Sequence, residues 1–153
     1  MNVSSTDRID KAMQLKAPVA RVWRALTDYK EFGAWFRVNL EGPLVAGKSC
    51  RGQLTFPTYE HVILEIEVVA IERERLFSFK WHPYAVEKDV DYSSETPTLV
   101  EFHLEPSAIG TLLKLSESGF DAVPAERRDE AFRMNDSGWV HQMLNIEKHL
   151  GGG

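Results

Sequence analysis

The sequence predicts an α+β domain in which a curved, mostly antiparallel sheet of six or seven strands wraps around one long C-terminal helix. Short segments of alternating apolar and polar residues follow one another from residue 9 to residue 117, separated by turn residues. Each segment has a single apolar face, which another element must bury. Only the segment 124–150 is long enough to cover these faces. Two short helices are expected after the first strand.

The segment 124–150 has the features of one continuous helix. Pro124 suits the first turn of a helix. Lys148 and His149 lie near the C-terminal end, where the helix dipole favours positive charge. About 26 residues give a helix of roughly 39 Å. Gly138 lies inside this helix. It marks a bend, allows another segment to pack closely, or is simply tolerated by the helix. The apolar residues at helical spacing are Ala131, Phe132, Trp139, Met143, Ile146 and Leu150, with Val140 and Leu144 widening the stripe.

The N-terminal part of the chain predicts a strand followed by one or two short helices. Pro18 starts the first helix, and residues 28–33 form either a turn or a short second helix. Trp35 and Phe36 then lead into a strand that ends near residue 41. The residues expected on one face of the first strand are Ile9, Lys11, Met13 and Leu15, among which Lys11 interrupts the apolar pattern.

Three strands are predicted in the middle of the chain, at residues 48–56, 61–72 and 76–82. The second has the clearest alternation, so its glutamates, Glu65 and Glu67, should face solvent. The residues expected to point inward are Cys50, Leu54 and Phe56 on the first strand, Val62, Leu64, Ile66, Val68 and Ala70 on the second, and Phe77, Phe79 and Trp81 on the third. Residues 83–97 form a long polar connection, in which Tyr84 and Tyr92 are placed to close over the mouth of a pocket.

The last two strands, at residues 100–105 and 113–117, form a hairpin around Gly110. Alternation aims Glu117 at the same inward face as Leu113 and Leu115. A carboxylate among apolar side chains must gain a hydrogen-bonding partner, become neutral or reach water. We therefore expect Glu117 at the end of a pocket, where it orients the polar end of a ligand. If the strand end splays outward, Glu117 meets solvent instead.

Length and composition indicate a single domain over residues 1–153. The net charge of −5 argues against a nucleic-acid partner, which would need a clustered basic face. The sequence has no signal-peptide pattern and no long apolar run, so we expect a cytoplasmic protein without a membrane segment. The single Cys50 fits a reducing compartment.

The five histidines do not form a metal-binding pattern. Alternation places His61, His82 and His103 on the outward faces of their strands, whereas His141 and His149 lie eight residues apart without an HExxH motif. The sequence also lacks GxGxxG and GxSxG motifs. We therefore expect no metal site and no cofactor.

A surplus of aromatic residues on inward faces predicts a small-molecule pocket, because ligand sites are mostly apolar with a few placed polar groups. For each aromatic residue alone, ordinary core packing is the competing interpretation. The polar candidates that fall among them are Glu117 on the last strand and Asn135 on the long helix. The apolar candidates for ligand binding are Trp35, Phe56, Phe79, Trp81, Phe120, Trp139 and Met143.

The chain resembles the SRPBCC superfamily, also called START-like or helix-grip, and within it the branch named after the activator of Hsp90 ATPase homologue. The residues that carry the resemblance are APVARVWRALTD at 17–28, Trp35, GTLLKLSESGF at 110–120 and GWVHQMLNIEKHL at 138–150. The resemblance implies a cavity between the sheet and the long helix that holds a small apolar or amphipathic ligand. It implies no single reaction, since members include ligand carriers, polyketide cyclases and cochaperone-like domains.

Three functions remain open at this point. The first is a module that binds a small apolar or aromatic molecule, as a monomer or a homodimer, without catalysis. The second is a cyclase-like or hydrolase-like enzyme that uses Glu117 as an acid or base, although no partner group for catalysis is evident. The third is a cochaperone-like interaction protein, which the absence of an NxNxWHWEE-type motif disfavours. The first function requires the fewest specific sequence features.

Overall fold

The computed structural model describes residues 7–87 and 89–151. Within these residues it contains a seven-stranded sheet, three α-helices and one short 3₁₀ turn. The strands are β1 (Arg8–Leu15), β2 (Val38–Leu40), β3 (Ser49–Leu54), β4 (Ile63–Glu72), β5 (Leu76–Trp81), β6 (Thr98–Ser107) and β7 (Gly110–Ser118). The helices are α1 (Val19–Thr27), α2 (Tyr29–Phe36) and α3 (Ala125–His149), and the 3₁₀ turn spans Phe120–Ala122.

The strands form one curved antiparallel sheet in the order β1-β7-β6-β5-β4-β3-β2. A bulge between Val68 and Ala70 shifts the pairing of β4 with β5, and such bulges bend and twist a sheet. The helix α3 packs on the inward face together with α2. The predicted α+β architecture is confirmed, including the two short helices after the first strand.

The burial of β4 tests the predicted register of the sheet. Ile66 is fully buried, Val62 just before the strand is buried, and Leu64 is half-buried. Glu65 and Glu67 are exposed, as predicted. A slip of one residue would have reversed every one of these side chains, so the alternation read from the sequence is confirmed.

Lys11, which interrupts the apolar face of β1, has a specific partner. Its Nζ lies 2.8 Å from Oδ1 of Asp136 on α3. The side chain of Lys11 is 26% exposed, so its aliphatic part packs inside while its charge is paired at the edge of the sheet. The inward position of Lys11 therefore links β1 to α3 instead of breaking the strand.

Residues 29–36 form a helix, so the helical alternative for this region is the correct one. Asp28 caps it, since its side chain accepts hydrogen bonds from two backbone N–H groups of the first turn. Trp35 lies inside α2 and donates from Nε1 to the carbonyl oxygen of Ala25 at 2.8 Å. The predicted end of this helix near residue 33 is wrong, because α2 continues to Phe36 and ends at Arg37, which has a φ of 69°. The strand predicted to follow and to end near residue 41 is present as β2.

Phe56 does not lie on the inward face of β3. The strand ends at Leu54, and Phe56 is 45% exposed, with the guanidinium carbon of Arg37 at 5.4 Å from its ring centroid. The prediction that Phe56 shares a face with Cys50 is therefore wrong. Pro57 follows in a turn, and a strand's alternation no longer applies once the chain turns.

The buried stripe of α3 is narrower than predicted. Val140 is 47% exposed and Leu144 is 48% exposed, so these two residues do not widen the stripe. Each follows a buried residue by one position, which turns its side chain about 100° away from the sheet. The buried residues of α3 are Ala131, Trp139, Met143 and Ile146.

Gly138 is a tolerated glycine within α3. A Cβ built at this position would have no neighbour within 4 Å, so no segment packs closely against it. Gly52 in β3 is the opposite case. A Cβ there would lie 2.5 Å from the carbonyl oxygen of Asn39 and 2.8 Å from the Cα of Leu40, so only glycine lets β2 and β3 pair at this point.

We expect Gly138→Ala to raise the free energy of unfolding by about 1 kcal/mol, because alanine costs less entropy in a helix than glycine. Gly52→Ala should lower it by about 1–3 kcal/mol, because the added methyl group overlaps the backbone of β2. Urea unfolding measures both values. Equal effects of the two substitutions would contradict this difference in surroundings.

Glu31 joins the three helices through its carboxylate. Oε1 lies 2.7 Å from Nη1 of Arg21 and 2.8 Å from Nε2 of His149, while Oε2 lies 2.9 Å from Nε of Arg24. Burial alone would raise the pKa of Glu31, but the hydrogen bonds from His149 and Arg21 outweigh it and hold the pKa below its ordinary value of 4.5. This cluster fixes the end of α3 against α1 and α2.

The lowered pKa of Glu31 predicts a pH-dependent contribution to stability. A carboxyl whose folded pKa is depressed stabilises the fold above its unfolded pKa and loses that effect as pH falls through the folded pKa. Glu31→Gln should cost about 1 kcal/mol at pH 7, and its difference from the wild type should shrink below about pH 4.5. Urea unfolding between pH 3 and 7, with Glu105→Gln as a surface control, measures it. A difference that stays constant with pH would contradict the assignment.

Candidate functional site

Glu117 lies inside the molecule, between the sheet and α3. β7 holds it opposite Ile9 of β1 and Val100 of β6, and its exposure is 0%. The end of β7 does not splay toward solvent. Since an ionised carboxylate is rarely buried without compensation, its surroundings indicate how the interior of this protein is arranged.

Four side chains from three elements direct hydrogen-bond donors at the two oxygens of Glu117. Oε2 accepts from Nε1 of Trp81 at 2.7 Å and from Oγ1 of Thr98 at 2.6 Å. Oε1 accepts from Nε1 of Trp139 at 2.8 Å. Nδ2 of Asn135 lies 3.0 Å from Oε1 and 3.1 Å from Oε2. β5, β6 and α3 therefore all meet β7 at this one group.

These contacts suit an ionised carboxylate. An indole N–H only donates and a carboxylate only accepts, so Trp81 and Trp139 match the anionic form. Among the described residues, no Lys, Arg or His forms a hydrogen bond or salt bridge with Glu117. Two oxygens offer about four lone-pair sites, and the four donor side chains use them. Glu117 is thus held by neutral dipoles and has little capacity left for a ligand.

Aromatic rings fill the space around this carboxylate. The rings of Trp81 and Trp139 stack with centroids 5.6 Å apart. Phe102 lies 5.8 Å from Trp139, and Phe79 lies 5.1 Å from Trp81. Trp35 completes the group at 6.4 Å from Phe102. The interior between the sheet and α3 is therefore closely packed at this level.

A cleft of about 480 Å³ lies beside the packed interior, under the segment that connects β5 to β6. Its floor reaches Trp81 and Asn135, the two donors to Glu117 nearest the surface. The remaining apolar lining comes from Phe36, Leu54, Val62, Ile63, Leu64, Ala85, Val86 and Val90. The polar and amphipathic lining comes from His61, Glu65, His82, Tyr84, Glu87, Asp91, Tyr92 and Ser93.

Arg127 fixes the connecting segment 82–97 to the start of α3. Its guanidinium forms a two-pronged contact with Glu95, with Nη2 at 2.5 Å from Oε1 and Nε at 3.1 Å from Oε2. Nη1 also donates to the carbonyl oxygen of Pro83 at 2.8 Å, and the guanidinium carbon lies 4.8 Å from the ring centroid of Tyr92. Arg127 and Glu95 are 17% and 14% exposed. Both ends of the segment are thus held by one residue.

The opposite side of the same segment contacts the turn before β4. His61 Nε2 lies 2.9 Å from the carbonyl oxygen of Val86. A hydrogen bond with Tyr59 is the largest cause that raises the pKa of Tyr84 to about 12, and burial adds to it. Tyr84 also has a φ of 48°, which is uncommon for a residue other than glycine. The segment therefore bridges the cleft from α3 to the β3–β4 connection.

The structure brings only part of the predicted site together. Trp81 and Asn135 line the cleft, and Glu117 and Trp139 lie directly behind them. Tyr84 and Tyr92 line it from the connecting segment. The other candidates lie elsewhere: Trp35, Phe79 and Met143 in the core, Phe120 against Phe132, and Phe56 at the surface.

His82 is a site residue that the alternation assigned to the outward face. It lines the cleft, and its Nδ1 is buried without a hydrogen-bond partner among the described residues. The prediction was wrong because β5 ends at Trp81 and Pro83 follows, so the strand pattern does not extend to His82. The adjacent proline was the available signal. His61 also lines the cleft, although it is exposed, as its outward assignment predicts.

Within residues 7–87 and 89–151, no group of three or more His, Cys, Asp or Glu side chains is placed to hold a metal ion. In the same part of the chain, no helix combines the length and the apolar character needed to cross a membrane. The polar groups that line the cleft are an amide, two imidazoles, three carboxylates, a serine hydroxyl and two tyrosine hydroxyls.

Glu117→Gln should lower the free energy of unfolding by about 2–3 kcal/mol. The glutamine amide would place a donor against an indole N–H or the Asn135 amide, leaving buried donors unsatisfied. The matched control is Glu65→Gln on the exposed face of β4, which should change stability by less than about 0.5 kcal/mol. Urea unfolding followed by circular dichroism measures both. A Glu117→Gln variant as stable as the control would contradict the four-donor arrangement.

Solved structures with the same fold cover almost the whole chain. Protein MLL2253 from Mesorhizobium loti is 25% identical, with a TM-score of 0.74 over 94% of this chain and 96% of that one. DynU16, from the dynemicin biosynthetic locus, is 23% identical, with a TM-score of 0.71 over 94% of this chain and 47% of its own. The Aha1 dimer from Colwellia psychrerythraea is 15% identical, with a TM-score of 0.70 over 94% and 95%.

No curated protein sequence gives a significant match to the chain. The family model described as Activator of Hsp90 ATPase homolog 1-like protein, in contrast, matches residues 16–151. This range includes all of the helices, six of the seven strands and every residue of the cleft and of the Glu117 cluster. The chain belongs to the family of Activator of Hsp90 ATPase homolog 1-like proteins.

Proposed function

We propose that the protein binds a small apolar or amphipathic molecule in the cleft under the segment 82–97. The observation that carries this proposal is the cleft itself, which has a volume of about 480 Å³ and a lining that combines apolar side chains with a few polar ones. Pockets for small molecules typically have volumes of about 300–1,000 Å³ and the same mixed lining. A flat or bicyclic aromatic molecule suits this size.

The position of the proposed site differs from a cavity at the centre of the fold. Packed rings occupy the interior next to α3, including Trp139 and Phe102 at 5.8 Å. A ligand would therefore lie at the side of the molecule, against Trp81 and below Tyr84 and Tyr92. The anchored segment would then cover the ligand, which would reduce its contact with water.

Glu117 supports this site indirectly. Its contacts with Nδ2 of Asn135 fix the orientation of that amide, so Oδ1 is the atom of Asn135 left to accept a hydrogen bond from a ligand. It also fixes the indole plane of Trp81. Glu117 is therefore a positioning residue in this proposal, and the acid or base role required by a cyclase-like or hydrolase-like enzyme is not needed.

The family description names the activation of a chaperone ATPase. An activity of that kind requires a surface for a protein partner, whereas the mixed lining of a cleft with a bridging segment favours a small ligand. The cleft therefore supports ligand binding over a cochaperone-like role.

A neutral apolar dye such as Nile red should bind the folded protein at one site and be displaced by compounds with a naphthalene ring. Ala85 lines the cleft, so Ala85→Trp should fill it and weaken dye binding at least about tenfold, about 1.4 kcal/mol. The matched control is Ala108→Trp in the exposed β6–β7 turn, which should bind as the wild type does. Fluorescence titration gives the affinities.

Two results would contradict the proposal. One is the absence of saturable binding of Nile red and of a broad set of neutral aromatic compounds. The other is equal dye affinity in Ala85→Trp and Ala108→Trp, since binding would then take place outside the cleft.

A further inference from the structure

Apart from two histidines, the charged groups among the described residues that line the cleft are carboxylates. They belong to Glu65, Glu87 and Asp91, and none of the described lining residues is Lys or Arg. The nearest guanidinium described above, that of Arg127, is already paired with Glu95. The three carboxylates are exposed at the cleft, and because their like charges add their potentials there, the cleft should attract a cation.

The pKa of Tyr84 reports this negative potential, whereas the pKa of Asp91 shows only that this carboxyl is charged. The hydrogen bond from Ser93 is the main cause that keeps the pKa of Asp91 below its ordinary value, and nearby His82 acts in the same direction. Asp91 is therefore ionised at neutral pH. After its hydrogen bond with Tyr59 and its burial, Tyr84 has its pKa raised further by Glu130 and Glu87. Glu87 and Glu130 thus both act on the ring of Tyr84, which lines the cleft.

The uncharged lining also suits a cation. The aromatic rings of Trp81, Tyr84 and Tyr92 lie next to these carboxylates in the cleft, and aromatic faces attract ammonium groups, most strongly away from water. Tyr92 already accommodates one cation, since the guanidinium carbon of Arg127 lies 4.8 Å from its ring centroid.

A separate observation points to a ligand that donates hydrogen bonds. Asn135 lines the cleft, and its Oδ1 is left to accept because Nδ2 is held by Glu117. An amide oxygen accepts hydrogen bonds and cannot donate them. A protonated amine supplies such N–H donors, whereas a carboxylate supplies none.

We propose that the cleft selects aromatic or amphipathic amines, with the apolar body of the ligand against Trp81 and its ammonium group facing Glu87 and Asp91. This inference rests on the proposed function, because it specifies the ligand class of the same cleft. It adds a charge preference that apolar binding alone does not require.

Three probes with the same ring system separate charge from apolar contact. At pH 7.5, 2-(1-naphthyl)ethylamine is a cation, 2-(1-naphthyl)ethanol is neutral and 1-naphthylacetate is an anion. Isothermal titration calorimetry should give the amine a dissociation constant about tenfold lower than that of the alcohol, with the acid binding more weakly than either. Raising the salt concentration should reduce the advantage of the amine.

Neutralising the two loop carboxylates should remove the preference. In the double variant Glu87→Gln and Asp91→Asn, the amine should bind within about threefold of the alcohol, because its affinity should fall by more than that of the alcohol. Asn keeps an oxygen for the Ser93 N–H that Asp91 accepts at 2.9 Å. The matched control, Glu105→Gln with Glu126→Gln, removes the same charge outside the cleft and should keep the full preference.

The outcomes distinguish this inference from the proposed function. Equal affinities for amine and alcohol in the wild type, or tighter binding of the acid, would overturn the charge preference while the alcohol still bound in the cleft. Loss of the preference in the control variant would also overturn it, since net charge rather than the cleft would be responsible. Failure of all three probes and of Nile red would overturn the proposed function together with this inference.

Discussion

A carboxylate removed from water needs donors on every side, and this requirement governs the interior of the protein. Glu117 is fully buried, and its partners come from the ends of two neighbouring strands and from the middle of α3. Breaking one such contact leaves a buried charge or a buried N–H without a partner, which costs more than the contact contributes when intact. The cluster therefore favours one relative position of β5, β6, β7 and α3 over all nearby alternatives.

This fixed position has consequences for the cleft. Trp81 and Asn135 each direct one atom at Glu117 and present the rest of the side chain to the cleft. The floor of the cleft is therefore rigid, while the covering segment is held at its two ends by Arg127. A rigid floor reduces the entropy lost when a ligand binds. In the proposed function, the buried carboxylate would thus contribute to ligand recognition although it does not line the cleft.

Much of the fold could be predicted because strand alternation and helix periodicity are local. Ile66 and Glu67 follow the alternation of β4, and Glu117 follows that of β7. Local patterns fail where an element ends. Phe56 and His82 both lie one or two residues beyond a strand, and each was assigned the wrong face. Val140 was misplaced for a different reason, since the width of the buried stripe depends on how the sheet packs against α3.

The site could be predicted only in part, because it depends on contacts between distant segments. Glu117 and Asn135 were recognised as polar residues among apolar ones, and the structure places them in contact. Their donors Trp81 and Thr98 lie 36 and 19 residues from Glu117 in sequence, so no spacing rule connects them. The anchoring of the segment 82–97 could not be predicted for the same reason, because Arg127 lies 32 residues from Glu95 in sequence. Such pairings require the three-dimensional arrangement.

The side-chain N–H signals of the tryptophans test the central claim most directly. In a ¹⁵N–¹H spectrum, the indole N–H groups of Trp81 and Trp139 should exchange slowly with water and should both shift in Glu117→Gln. Trp35, whose indole donates to the Ala25 carbonyl at 2.8 Å, is an internal reference and should keep its position. Fast exchange of the Trp81 and Trp139 signals, or signals unchanged by Glu117→Gln, would contradict the claim that this carboxylate organises the interior.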